Sequence, residues 1–134
     1  MGEFKAFPDY PVFRGVKPFK IDDGWLYQTR FAAGMKGVTP LLRTAPPESP
    51  PVANPDADTV AWTYERPADA GRPGRAFVFT GGHLHASFAE EGYRRFLVNG
   101  ILWSAGIDVP ASGAPVALDA AELGKYLAKP PAKK

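Results

Sequence analysis

The residues of this chain best suited to chemistry lie together in Thr80-Gly81-Gly82-His83-Leu84-His85. They follow the apolar run Arg75-Ala76-Phe77-Val78-Phe79-Thr80, which reads as the strongest strand, and they precede a helical pattern that starts near Ser87. In open α/β sheets, ligands gather beyond the carboxyl ends of strands. Gly81 and Gly82 let the backbone turn there and leave room for a ligand. A histidine held at such a point can act as acid, base or metal ligand, and His83 is the candidate catalytic group. The competing reading is a loop histidine that bonds the backbone. If the segment stays extended, His83 and His85 face one side, as two ligands of a metal site would. Such a site needs further donors. Asp22, Asp23 and Glu90 are available, but spacing selects none of them, so the metal stays open.

A second group is Asp22-Asp23 followed by Trp25, Tyr27, Arg30 and Phe31. Carboxylates beside aromatic faces and an arginine are a common way to hold a sugar. Asp23 is then a second catalytic candidate, and Trp25, Tyr27, Arg30, Gly82 and His85 are substrate-binding candidates. The alternative is the start of a strand, with solvated acids and core aromatics. Neither phosphate-loop nor dinucleotide-binding glycine spacing occurs, and no Gly-x-Ser-x-Gly elbow is present.

The elements that must position these residues are legible in part. Residues 1–24 read as an extended arm with at most one helical turn, since Pro8, Pro11 and Pro18 interrupt it. Trp25–Phe31 reads as an aromatic strand. Val38–Thr44 reads as a short strand that Pro40 confines to an edge or a strand start. Residues 45–58 form a proline-rich loop. Thr59–Tyr64 alternates as a strand and pairs with Arg75–Thr80 as a hairpin. Ser87-Phe88-Ala89-Glu90 fits a capping box ahead of a helix over 89–105, whose Tyr93, Phe96, Leu97 and Ile101 recur at helical spacing. Gly100 invites close approach of another chain segment, Gly106 suits the helix terminus, and Pro110 prevents continuation. A last helix runs from a cap at Asp119 to about Ala128.

Composition bounds the rest. The chain has 134 residues with 45% apolar content, enough for one domain with a true core. The net charge of +2 is scattered, apart from a basic tail after Lys125, and leaves no electrostatic footprint for nucleic acid. Cysteine is absent, so the chain holds no disulfide, thiolate metal site or cysteine nucleophile. No apolar run approaches a membrane span, and the first residues lack the apolar stretch of a signal peptide; the compartment is not fixed by this. Of 15 prolines, nine precede Asp56, which predicts a loop-rich first half.

Several segments together resemble the ThuA-like (trehalose-utilisation) family, related to class I glutamine amidotransferases. Residues 11–16, Pro-Val-Phe-Arg-Gly-Val, resemble the family's "HP(I/V)TRG" stretch, with Tyr10 where histidine is usual. Residues 19–27 resemble its "F-x-I-x-D-E-W/L-Y-Y", Thr59–Tyr64 its "P-V-A-W" strand, and residues 74–83 its "G-R-V-F-Y/F-T-x-G-H". Phe88–Gly106 resembles the helix that follows. The resemblance covers about residues 10–110, with 111–134 as a C-terminal extension, and 74–106 is its most specific block. It implies an α/β chain, namely the C-terminal portion of a flavodoxin-like (class I glutamine amidotransferase-like) three-layer fold, and a link to trehalose or keto-sugar catabolism. In the related amidotransferases a histidine after a late strand assists a cysteine nucleophile. His83 sits in a comparable place, but this chain lacks cysteine and amidotransferase activity is not carried over. The family often has glutamate where this chain has Gly24, and the family's N-terminal half has no counterpart here.

The expected function is therefore sugar binding or processing at Gly81-Gly82-His83. The alternative is a non-catalytic carbohydrate-binding or interaction domain, or an inactive fragment. Too few strands are foreseen to cover Phe4, Phe7, Phe13, Trp25 and Trp103, which predicts self-association or a complementary N-terminal half.

Overall fold

In the computed structural model, residues 1–45, 56–66 and 73–127 are described. The proline-rich stretch 46–55, the turn residues 67–72 and the basic tail from 128 onward lie outside the described residues.

Among the described residues five strands and two helices follow one another: β1 Gly2–Phe4, β2 Phe19–Ile21, β3 Val38–Arg43, β4 Thr59–Glu65, β5 Arg75–Phe79, α1 Glu91–Ser104 and α2 Ala120–Tyr126. Short 3-10 turns occupy Pro11–Phe13, Ala33–Met35 and His85–Ala89. β1 and β2 form a two-stranded antiparallel ribbon, and β3-β4-β5 form an antiparallel sheet in that order. The chain is thus a mixed structure of helices and antiparallel sheets. No parallel pair occurs among the described residues, unlike the parallel sheet that the family resemblance implies. The physical reason is local: parallel neighbours need a long crossover between them, whereas β4 returns directly into β5.

The foreseen β4–β5 hairpin is present, with Ala61 opposite Phe79 and Glu65 opposite Arg75. β4 is central in the sheet. Its polar-looking set Thr59, Ala61 and Thr63 is buried, and the Thr63 hydroxyl lies 3.1 Å from the Tyr10 hydroxyl. β3 is an edge, as Pro40 requires, and its register shifts between Pro40 and Arg43. Trp25–Phe31 is not a strand. Gln28 takes φ 59°, which breaks the alternation, and its amide bonds the carbonyl of Ala57 instead of a strand partner. The N-terminal arm carries more structure than its prolines suggested, because the β1–β2 ribbon closes across it.

The helix α1 lies on β5. Phe96 is fully buried, with ring centroids 5.1 Å from Phe77, 5.3 Å from Phe13 and 5.9 Å from Phe79. Gly100 serves the close approach expected of it: a Cβ there would stand 2.5 Å from the Phe77 ring. The helix closes with Gly106 at φ 75°, whose amide bonds Trp103, while the Ile107 amide bonds Leu102. Its start differs from the capping-box reading. Ser87 donates to the carbonyl of Asp22 rather than to the helix, the segment His85–Ala89 winds as a 3-10 turn, and Glu90 is the cap without a side-chain bond. The side chain of Asp119 does cap α2, accepting from the Ala121 amide.

Buried Asn99 ties three chain segments together. Its Nδ2 donates to the carbonyls of Val12 and Arg14, and its Oδ1 accepts from the Ala114 amide. All its hydrogen-bonding groups find partners, which makes burial of an amide tolerable. Residues after 110 therefore run back along α1, and Val116 accepts from Arg94. The aromatic faces expected to lie uncovered are covered within the chain. Phe4, Phe13 and Trp103 are buried, while Phe7 and Trp25 are half-buried against the same core.

Candidate functional site

β5 ends at Phe79, and the Thr80 amide makes a last bond to Val60. The chain then turns through Gly82 at φ 93°, a conformation that favours glycine. From there three consecutive amides point inward at one side chain. Asp23, just beyond β2, is 8% exposed and accepts from Gly82 on Oδ2 at 2.9 Å, and from His83 and Leu84 on Oδ1 at 2.8 and 3.1 Å. Its Oδ1 also accepts from Gly24 at 2.8 Å. Successive backbone amides of this kind form a nest for an anion, and here the anion is the chain's own carboxylate. The adjacent Asp22 carbonyl holds Ser87. The end of β2 thus fixes the whole loop that leaves β5.

Asp23 and His83 are therefore brought together, but not face to face. The carboxylate grips the backbone of the histidine and both of its oxygens are engaged by amides. Its role in this geometry is to position the loop. The ring of His83 lies against Gly24, where a Cβ would come 3.0 Å from the histidine Cβ and 3.1 Å from its Cγ. Gly24 is thus the residue that leaves space for the imidazole.

His83 and His85 are both exposed and line one shallow depression with Leu84, Ala86 and Leu127. The His85 ring also meets Phe88 edge-on at 6.4 Å. The donors considered for a metal do not gather there. Asp22 is exposed beside the N-terminal amine, and Glu90 borders a different hollow, with Glu3 and Lys20. Among the described residues no group of three or more His, Cys, Asp or Glu side chains converges.

The aromatic candidates are placed elsewhere. Trp25 packs edge-on against Phe4 and Phe79, at 5.9 and 5.5 Å, and its ring also contacts the glycine turn near Gly81. It supports the loop from beneath. Tyr27 is half-buried, with its hydroxyl 3.4 Å from the Ala45 carbonyl, and burial raises its pKa. Arg30 lines a separate hollow with Phe31, Met35 and Asp56.

One residue of the site escaped the sequence reading. Tyr93 is fully buried under the loop, and a Cβ on Gly82 would sit 3.5 Å from its hydroxyl. That hydroxyl has no hydrogen-bond partner among the described residues. Burial, and then the charge of Asp23, push its pKa far above the ordinary tyrosine value. In sequence Tyr93 is simply one position of the apolar helix face, and no spacing signals that its polar end lies beneath the glycines.

The arrangement can present an imidazole on a fixed backbone at the end of a strand, open to a hydroxyl-bearing ligand, for hydrogen bonding or proton transfer. Comparison with protein-family models, with characterised proteins and with solved structures returned no significant match.

Proposed function

We propose that the chain is a ThuA-like domain that binds and processes a sugar at the His83/His85 depression, with His83 as the acid or base and His85 as a ligand contact. The reading rests on the resemblance in residues 74–106 and on one observation of geometry. The Gly82–Leu84 amides are locked onto Asp23, so the exposed His83 ring is presented from a fixed backbone. Preorganisation of that kind is what proton transfer requires and a mobile surface histidine lacks. On this reading β5, the glycine turn and α1 form the strand–loop–helix unit of a flavodoxin-like domain.

A second reading, non-catalytic carbohydrate binding, is favoured by a specific feature: among the described residues no carboxylate lines the depression beside the histidines. The two are separated by titrating trehalose and a keto-sugar against the protein while following the imidazole resonances, with product analysis on the same samples. His83→Ala is expected to abolish binding or turnover while changing stability by less than about 1 kcal/mol, since the side chain is exposed. Binding without product supports the second reading. Sugar titrations that leave both imidazoles unmoved refute both.

A further inference from the structure

The depression at His83 is built from two kinds of surface. Its volume is about 470 Å³, within the span of about 300–1,000 Å³ usual for small-molecule sites. Among the described residues its lining side chains are the two imidazoles and the aliphatic groups of Leu84, Ala86 and Leu127. Leu84 is 41% exposed and Leu127 36%, so both present apolar surface to whatever enters. They belong to separate elements. Leu84 lies in the loop that leaves β5, whereas Leu127 follows α2, which packs on the turn His85–Ala89.

Polar partners for a ligand are few. The amides of Gly82, His83 and Leu84 are committed to Asp23, and the Leu84 carbonyl accepts from Ser87. No carboxylate, carboxamide or hydroxyl side chain joins the imidazoles in the lining among the described residues. A sugar ring carries a hydroxyl on most of its carbons, and each one buried without a partner costs free energy. The two imidazoles can serve one such ring. A second ring laid against Leu84 and Leu127 gives up water and gains no hydrogen bond from them. An apolar group in the same place gives up nothing, and its burial is favourable.

We propose that the depression takes a glycoside with an apolar aglycone, its sugar at His83 and His85 and its aryl or alkyl group against Leu84, Ala86 and Leu127. This rests on the sugar reading above and narrows it. His83 and His85 contact the sugar, and Leu84 and Leu127 select what the sugar is attached to.

Phenyl α-glucoside and trehalose test the selection, because they share an α-glucosyl unit and differ in the group it carries. The chain has two histidines, so their imidazole resonances report the site directly. Phenyl α-glucoside binds at least about tenfold more tightly than trehalose, and phenol, which lacks the sugar, at least about tenfold more weakly than the glucoside. Leu127→Asn removes most of the advantage of phenyl α-glucoside without weakening trehalose. Trehalose binding as tightly as phenyl α-glucoside overturns the inference and leaves the sugar reading standing. So does an advantage that survives whole in Leu127→Asn. Phenol binding as tightly as the glucoside overturns the sugar reading and the inference with it. If phenyl α-glucoside moves neither imidazole, the inference falls, and a keto-sugar that still moves them keeps the sugar reading. The wild-type comparison decides the matter even if the variant misfolds.

Discussion

Replacing Asp23 probes the device on which the site depends. Asp23→Ala removes the acceptor of four backbone amides, three of them from the loop Gly82–Leu84. A hydrogen bond to a charged group is worth about 1.5–3 kcal/mol net, so the three loop bonds set a gross loss of about 5–9 kcal/mol. Two effects reduce it. The loop residues are exposed, so water can take up their N–H groups once the loop lifts. Three released residues also regain backbone entropy of about 1–2 kcal/mol each. The net expectation is about 1–3 kcal/mol, expressed locally as opening of the loop, with β5 and α1 still packed. Amide exchange reads this directly. Protection at Gly82, His83 and Leu84 should fall by roughly ten- to a hundredfold, at about 1.4 kcal/mol per decade. Asp23→Asn should fall between wild type and Asp23→Ala. Its single oxygen can keep the Oδ1 bonds, while its NH₂ group opposes the Gly82 amide. If exchange at these three amides is unchanged in Asp23→Ala, the carboxylate does not hold the loop and the account of His83 presentation fails.

Three further outcomes are expected. Phe96→Ala should cost about 3–5 kcal/mol in reversible urea denaturation, since the ring is fully buried among four other aromatic rings; a loss below about 1 kcal/mol would show that this face is not core. Gly100→Ala should destabilise despite gaining about 1 kcal/mol of helix propensity, because the new methyl meets the Phe77 ring at 2.5 Å and overpacking costs about 1–3 kcal/mol; a raised melting temperature would contradict the packing. Tyr93→Phe should be within about 1 kcal/mol of wild type at neutral pH, because the lost hydroxyl has no partner among the described residues. The folded pKa of Tyr93 is raised, so its contribution is intact below pH 10.0, the unperturbed value, and is lost above it as the unfolded chain ionises first. Denaturation at about pH 8 and about pH 11 should therefore show a steeper alkaline loss for wild type than for the variant, and equal losses would refute the burial.

Local patterns settled the elements whose physics is local. β4 alternates, β5 is a short apolar run, α1 repeats its apolar face at helical spacing, and Gly106 and Asp119 end and begin helices through contacts within a few residues of themselves. Proline at position 40 alone restricts β3 to an edge. Where competing partners lay far away in sequence, only the tertiary structure decided. Ser87 could serve its own helix or the Asp22 carbonyl, and the end of β2 took it. Trp25–Phe31 alternates loosely like a strand, but Trp25 and Tyr27 are half-buried against the core while Gln28 turns its amide to Ala57, so no ladder forms. The pairing of β1 with β2 joins residues separated by three prolines and leaves no periodic trace. The site shows the same division. His83 after a strand and two glycines is visible in sequence, because a glycine turn is a local property. That Asp23 would spend both carboxylate oxygens on the loop backbone, that Gly24 would seat the imidazole, and that Tyr93 would lie beneath Gly82 follow from bringing β2, β5 and α1 to one point. A side chain's chemistry is written in its type, but its free valences depend on which backbone groups the fold carries to it.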